Sequence, residues 1–138
     1  MNFLNVIAIS ICILSNITQC FSQDVRFGYT RSQVLSAWEV KPCEVDASVI
    51  SYCVEDGDRI SFIMKSGKVF QIVFLHQAST RYGAERKLEE LIEGYHLKEG
   101  TTHRVDKGIT YFWLPSGTAV LQVSEHKGSY YAMEIVGQ

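Results

Sequence analysis

Three things are scarce in this sequence of 138 residues, and each scarcity excludes a class of function. The first is concentrated charge. Thirteen Lys and Arg stand against fifteen Asp and Glu, and no long run of either sign occurs. Nucleic-acid binding needs a dense basic surface that displaces counterions, and polybasic membrane attachment needs a basic cluster; neither is expected here. The second is apolar length. Phe3 to Leu14, FLNVIAISICIL, is too short to span a bilayer, so no stable membrane span is expected. The third is catalytic and metal-binding grammar. There is no HExxH, no zinc-type cysteine spacing, no phosphate loop, no dinucleotide fingerprint and no Gly-x-Ser-x-Gly frame around Pro115-Ser116-Gly117. No motif proposes a reaction, an enzyme is disfavoured, and no cofactor or metal is expected.

What is present begins at the N-terminus. Met1 to Ser22 carries no charged side chain, and its apolar run has the length of a signal-peptide core. Polar Ser15, Asn16, Thr18 and Gln19 break the run. Cys20-Phe21-Ser22 then sets small residues three and one before Gln23, predicting cleavage between Ser22 and Gln23. The segment MNFLN lacks Lys and Arg, so only the α-amino group supplies its positive charge. Lipidation at Cys20 is disfavoured by Gln19, where a lipoprotein signal needs a small side chain. The expected organisation is a signal peptide at 1–22 and a single α+β domain at 23–138, exported to the periplasm or secreted. Of the cysteines, Cys43 and Cys53 lie in that domain. In an oxidising compartment they are expected to pair, closing a loop of about ten residues worth roughly 3 kcal/mol. A Cys–His nucleophile is the alternative, but no catalytic context surrounds either thiol.

Periodicity places the elements. Thr30-Arg31-Ser32-Gln33 is a capping box opening a helix with Val34, Leu35 and Trp38 on its apolar face, ended by Lys41-Pro42. Strands are predicted at Val49–Val54, Arg59–Lys65 and Val69–Leu75, joined by turns at Glu55–Asp58 and Ser66-Gly67, where glycine accepts positive φ. A second helix starts near Ser79 or Thr80. It carries Ala84, Leu88, Leu91 and Tyr95 at helical spacing with Ile92 beside them, against a charged face of Glu85, Arg86, Lys87, Glu89, Glu90 and Glu93. Strands then return at Ile109–Leu114, Thr118–Ser124 and Tyr130–Val136.

Ile50-Ser51-Tyr52 aligns with Ile109-Thr110-Tyr111, Gly57 with Gly117 and Gly67 with Gly128. The chain therefore reads as a tandem α-β-β-β repeat, with units at 27–78 and 79–138. The expected fold class is α+β: an antiparallel sheet of about six strands with two helices on one face. This organisation resembles small exported bacterial proteins of the β-lactamase-inhibitory-protein-like and PepSY-like kinds, without a residue-level motif match. The resemblance implies that the open sheet face or its loops engage another protein.

Strand alternation puts Phe112 on the face opposite Tyr111 and Trp113, and it splits Tyr130 from Tyr131. A helix-covered face cannot take all of these. Some aromatics therefore decorate the open face, unless Glu99 to Lys107 covers it. Tyr and Trp anchor interfaces at low entropy cost. The expected function is thus an exported, non-enzymatic protein-binding module of inhibitor or immunity type. Tyr111, Trp113, Gln122 and Tyr130 are its candidate contacts, and another exported or envelope protein is its partner. The rival reading is a small-ligand or enzymatic pocket between sheet and helices that uses His96 and His103, which flank Glu99. Zinc would need three or four converging ligands, which the spacing of His76, His96, His103 and His126 does not imply.

Overall fold

Regular structure begins at the capping box. In the computed structural model, which describes residues 25–54, 57–96, 101–115 and 117–137, Thr30 adopts an extended conformation. Its hydroxyl accepts from the Gln33 amide while the Gln33 side chain accepts from the Thr30 amide. The signal segment with Cys20, and Glu55, Asp56, Glu99 and Ser116, lie outside the described residues.

Helix α1 spans Arg31–Ala37 and α2 spans Arg81–His96. Between and after them run β1 (Glu44–Val45), β2 (Val49–Cys53), β3 (Arg59–Lys65), β4 (Lys68–Ala78), β5 (Thr102–Asp106), β6 (Ile109–Leu114), β7 (Gly117–His126) and β8 (Ser129–Gly137). The strand order is β1-β2-β3-β4-β8-β7-β6-β5. This corrects the expected six strands: among the described residues the sheet has eight, and each helix is followed by four strands rather than three. The two additions are β1 and β5, every residue of which is exposed. A strand without a buried face has no apolar alternation, so periodicity passes over it. The chain divides into two compact units between Ile72 and Val73, inside β4.

In the first unit, α1 stops at Ala37, earlier than Pro42 demands, because Trp38 is already extended (φ −106°, ψ 130°). Its ring stacks on Tyr52, with centroids 4.3 Å apart, and meets Phe62 edge-on at 6.1 Å. With Val34, Ile50, Ile60 and Met64 these rings form the core, while Leu35 points outward. Tyr29 and Gly28 hydrogen-bond to Val69 at the start of β4.

The opposite face of β1–β3 carries a polar cluster beside the half-buried pair Val49 and Ile63. Ser51 and Ser61 are cross-strand partners whose buried hydroxyls lie 2.8 Å apart. Arg59 binds Ser51 Oγ and pairs with Glu44, tying β1 to its neighbours. Cys43 and Cys53 form the disulfide, and the Cys43 amide donates to the Ser51 carbonyl. Ahead of β2, Asp46 Oδ1 accepts from Ser48 N, Ser48 Oγ and Val49 N. These bonds, and more weakly Arg31, hold its carboxyl below the usual carboxylate range.

In the second unit, Thr80 Oγ1 accepts from Gly83 N and opens α2 where the sequence places it. Ala84, Leu91 and Tyr95 are buried, and Leu88 and Ile92 are half-buried. Phe112, Ala119, Leu121, Ala132 and Val136 supply the buried sheet residues. Lys107-Gly108 and Lys127-Gly128 turn β5 into β6 and β7 into β8 with both residues at positive φ, as Ser66-Gly67 does in the first unit. This is the turn geometry that matches strand twist in two-residue hairpins.

Candidate functional site

Register fixes which side chains share a face of β5–β8, because directly paired residues point the same way. Arg104 pairs with Tyr111, Tyr111 with Val120, and Val120 with Ile135. The next rows are Thr102, Trp113, Thr118 and Gly137 on one side, and Gln122 with Met133 on the other, followed by Ser124 with Tyr131. Every member of β6, β7 and β8 in these rows is half-buried or exposed, whereas their alternates Phe112, Ala119, Leu121, Ala132, Glu134 and Val136 are buried.

Three of the expected contacts, Tyr111, Trp113 and Gln122, therefore lie together. Tyr130 does not: it pairs with Glu125 on the opposite face, and Tyr131 takes the place beside Ser124. The parity of β8 hides this in the sequence. In YYAMEIV the apolar set Tyr131, Met133 and Ile135 reads as the buried one, yet Glu134 is 2% exposed and the strand is turned the other way. An ionisable residue in the core is the exception that alternation cannot foresee.

Tyr111 and Trp113 are stacked two residues apart along β6, with centroids 6.4 Å apart and planes 22° from parallel. Arg104 reaches across from β5, its guanidinium 5.1 Å from the Tyr111 centroid and 5.7 Å from that of Trp113. Sequence reasoning missed this cation because β5 itself was missed. The two-residue signal Lys107-Gly108, of the same kind as Ser66-Gly67, would have revealed the hairpin. Cation–π contact holds the planar guanidinium on the rings and presents its remaining donors outward. Trp113 stays 43% exposed. Thr102–Asp106, part of the segment that was the candidate cover for this face, is instead the edge strand and lies within the sheet.

On the other face, Tyr95 of α2 stacks on Phe112, with centroids 4.9 Å apart. Burial, the nearby Glu134 charge and a hydrogen bond to Glu134 push the Tyr95 phenol well above its ordinary value. His76 is buried in β4. His96 and His103 are exposed, their rings meeting edge-to-face with centroids 4.4 Å apart, and both contact Phe112. Among the described residues no three His, Cys, Asp or Glu side chains converge as a metal cluster, and no helix is long and apolar enough to cross a membrane. No protein-family model, no curated protein and no solved structure matches the chain.

Proposed function

We propose that this chain is an exported, non-enzymatic protein-binding module of inhibitor or immunity type, and that it binds through the β5–β8 face bearing Arg104, Tyr111, Trp113 and Gln122. The observation that carries the reading is the Arg104–Tyr111–Trp113 stack, backed by Val120, Met133, Ile135 and Tyr131 on the same face. Arg, Tyr and Trp are the residue types that concentrate binding energy in protein interfaces. Here they sit on paired strands, which hold them in place before a partner arrives and so lower the ordering cost of association. The charge-free leader and the Cys43–Cys53 bridge support an oxidising location outside the cytoplasm.

The test is capture of a partner from an extract of the native envelope or medium on the immobilised protein. The species retained by the wild type is expected to be lost by Trp113→Ala and Arg104→Ala and kept by Tyr130→Ala. Equal retention by all four proteins, or no specific species at all, contradicts the reading. Export has its own check: N-terminal sequencing of the protein recovered outside the cytoplasm is expected to begin at Gln23, and a sequence beginning at Met1 contradicts cleavage.

A further inference from the structure

We infer that His96 and His103 form a two-imidazole site for a late first-row divalent cation, at the junction of α2 and the edge strand β5. The inference is independent of the protein-binding face, since Arg104 and Tyr111 lie on the other side of the same strands.

Two exposed imidazoles from different elements come close enough to share one ion. With metal–nitrogen bonds of about 2.0–2.1 Å in each ring plane, two such imidazoles hold their centroids about 4.5 Å apart at a right angle, and about 5.2 Å apart at the tetrahedral angle. The observed separation is 4.4 Å, with the rings 89° apart. At that separation both imidazoles reach one ion, and imidazole suits Cu2+, Ni2+ and Zn2+ alike.

Both side chains are held before any ion binds. Phe112, 1% exposed, supports the two rings from beneath, with its centroid 5.4 Å from that of His96 and 5.7 Å from that of His103. His96 is fixed by the last turn of a sixteen-residue helix and His103 by its cross-strand pairing with Phe112. Both rings are exposed, so an ion reaches them without opening the fold, and water completes its coordination. Binding adds a tie between α2 and β5 in the native state alone, so it stabilises that state by mass action.

Titration of the purified protein with NiCl2 by calorimetry tests this, with far-UV circular dichroism confirming that each variant is folded. One equivalent is expected to bind the wild type and His126→Gln and to raise the melting temperature. His96→Gln and His103→Gln, each alone, are expected to weaken binding by at least the roughly tenfold that follows loss of even an outer-shell partner. Should a variant fail to fold, the wild type still decides the matter: diamagnetic Zn2+ added to it is expected to shift the imidazole resonances of His96 and His103 together, and those of no other histidine. No binding, binding that survives either replacement, or resonance shifts at His76 or His126 instead would overturn the site.

Discussion

Helix and four strands follow in the same order twice along the chain, α1 with β1–β4 and α2 with β5–β8, yet the two units differ on the face away from their aromatic cores. In the first unit that face carries a cluster of the chain's own polar groups, Ser51 against Ser61 and Arg59 on Ser51 and Glu44, with the disulfide and the half-buried pair Val49 and Ile63 beside them. In the second it is a stack of Arg104, Tyr111 and Trp113 with half-buried Val120, Met133 and Ile135. The cores differ in the opposite sense. Among the described residues the indole nitrogen of Trp38 and the hydroxyl of Tyr52 are buried without hydrogen-bond partners, while Tyr95 of the second unit bonds to buried Glu134. One unit satisfies its polar groups on its reverse face and the other in its core. The stack of Arg104 on two neighbouring rings belongs to the second, whereas the first, among the described residues, exposes the single ring of Phe70 under Lys65.

This contrast is breakable at chosen residues. Among the polar groups and caps that set this contrast the largest effect is expected at the disulfide: closing a loop between positions 43 and 53 constrains the unfolded chain, so Cys43→Ser with Cys53→Ser lowers unfolding free energy by about 3 kcal/mol in urea titration. An unchanged midpoint would show that the polar face holds without its bridge. Next is Tyr95→Phe, which deprives a buried carboxylate of a donor and costs about 1–3 kcal/mol.

Tyr95 also sets a pH dependence. Its folded pKa lies above the unfolded value, so the proton is held more tightly in the native state. Its contribution is complete below about pH 10, the ordinary tyrosine value, and is lost as pH rises through the folded pKa. Alkaline denaturation should therefore lose the Tyr95 part of its tyrosine-linked step in Tyr95→Phe and keep the part due to Tyr52, whose phenol burial also raises. Thr30→Ala, which removes one half of the capping box, is expected to cost about 1 kcal/mol. The smallest change belongs to Tyr52→Phe, expected within about 0.5 kcal/mol of the wild type because the hydroxyl it removes has no partner among the described residues. A loss comparable to that of Tyr95→Phe would erase the distinction between the two cores.

Elements whose buried and exposed residues alternate were legible from sequence: β3 and β6 begin and end where their periodicity places them, and α1 starts at its capping box. Alternation failed where its premise did. Glu44–Val45 and Thr102–Asp106 bury no side chain, so they read as loops, and with β5 went Arg104. Glu134 inverted the apparent parity of β8 and exchanged Tyr131 for Tyr130. His96 and His103 were visible as residues, but their meeting depends on the β5–β6 register, which no local pattern encodes. The open aromatic face was anticipated from three consecutive rings, Tyr111, Phe112 and Trp113, because no strand can bury all three on one side.

The central claim is that Trp113 is exposed for a partner rather than for the fold, and its neighbour Phe112 supplies the internal standard. Comparing Phe112→Ala and Trp113→Ala for thermal stability and for retention of the captured species tests this most directly. Phe112→Ala is expected to lose about 3–5 kcal/mol, as deletion of a buried ring does. Trp113→Ala is expected to stay within about 1 kcal/mol of the wild type, the range of an exposed substitution, and to lose the partner. A Trp113→Ala protein that unfolds as readily as Phe112→Ala, or that stays folded and keeps the partner, would contradict the account.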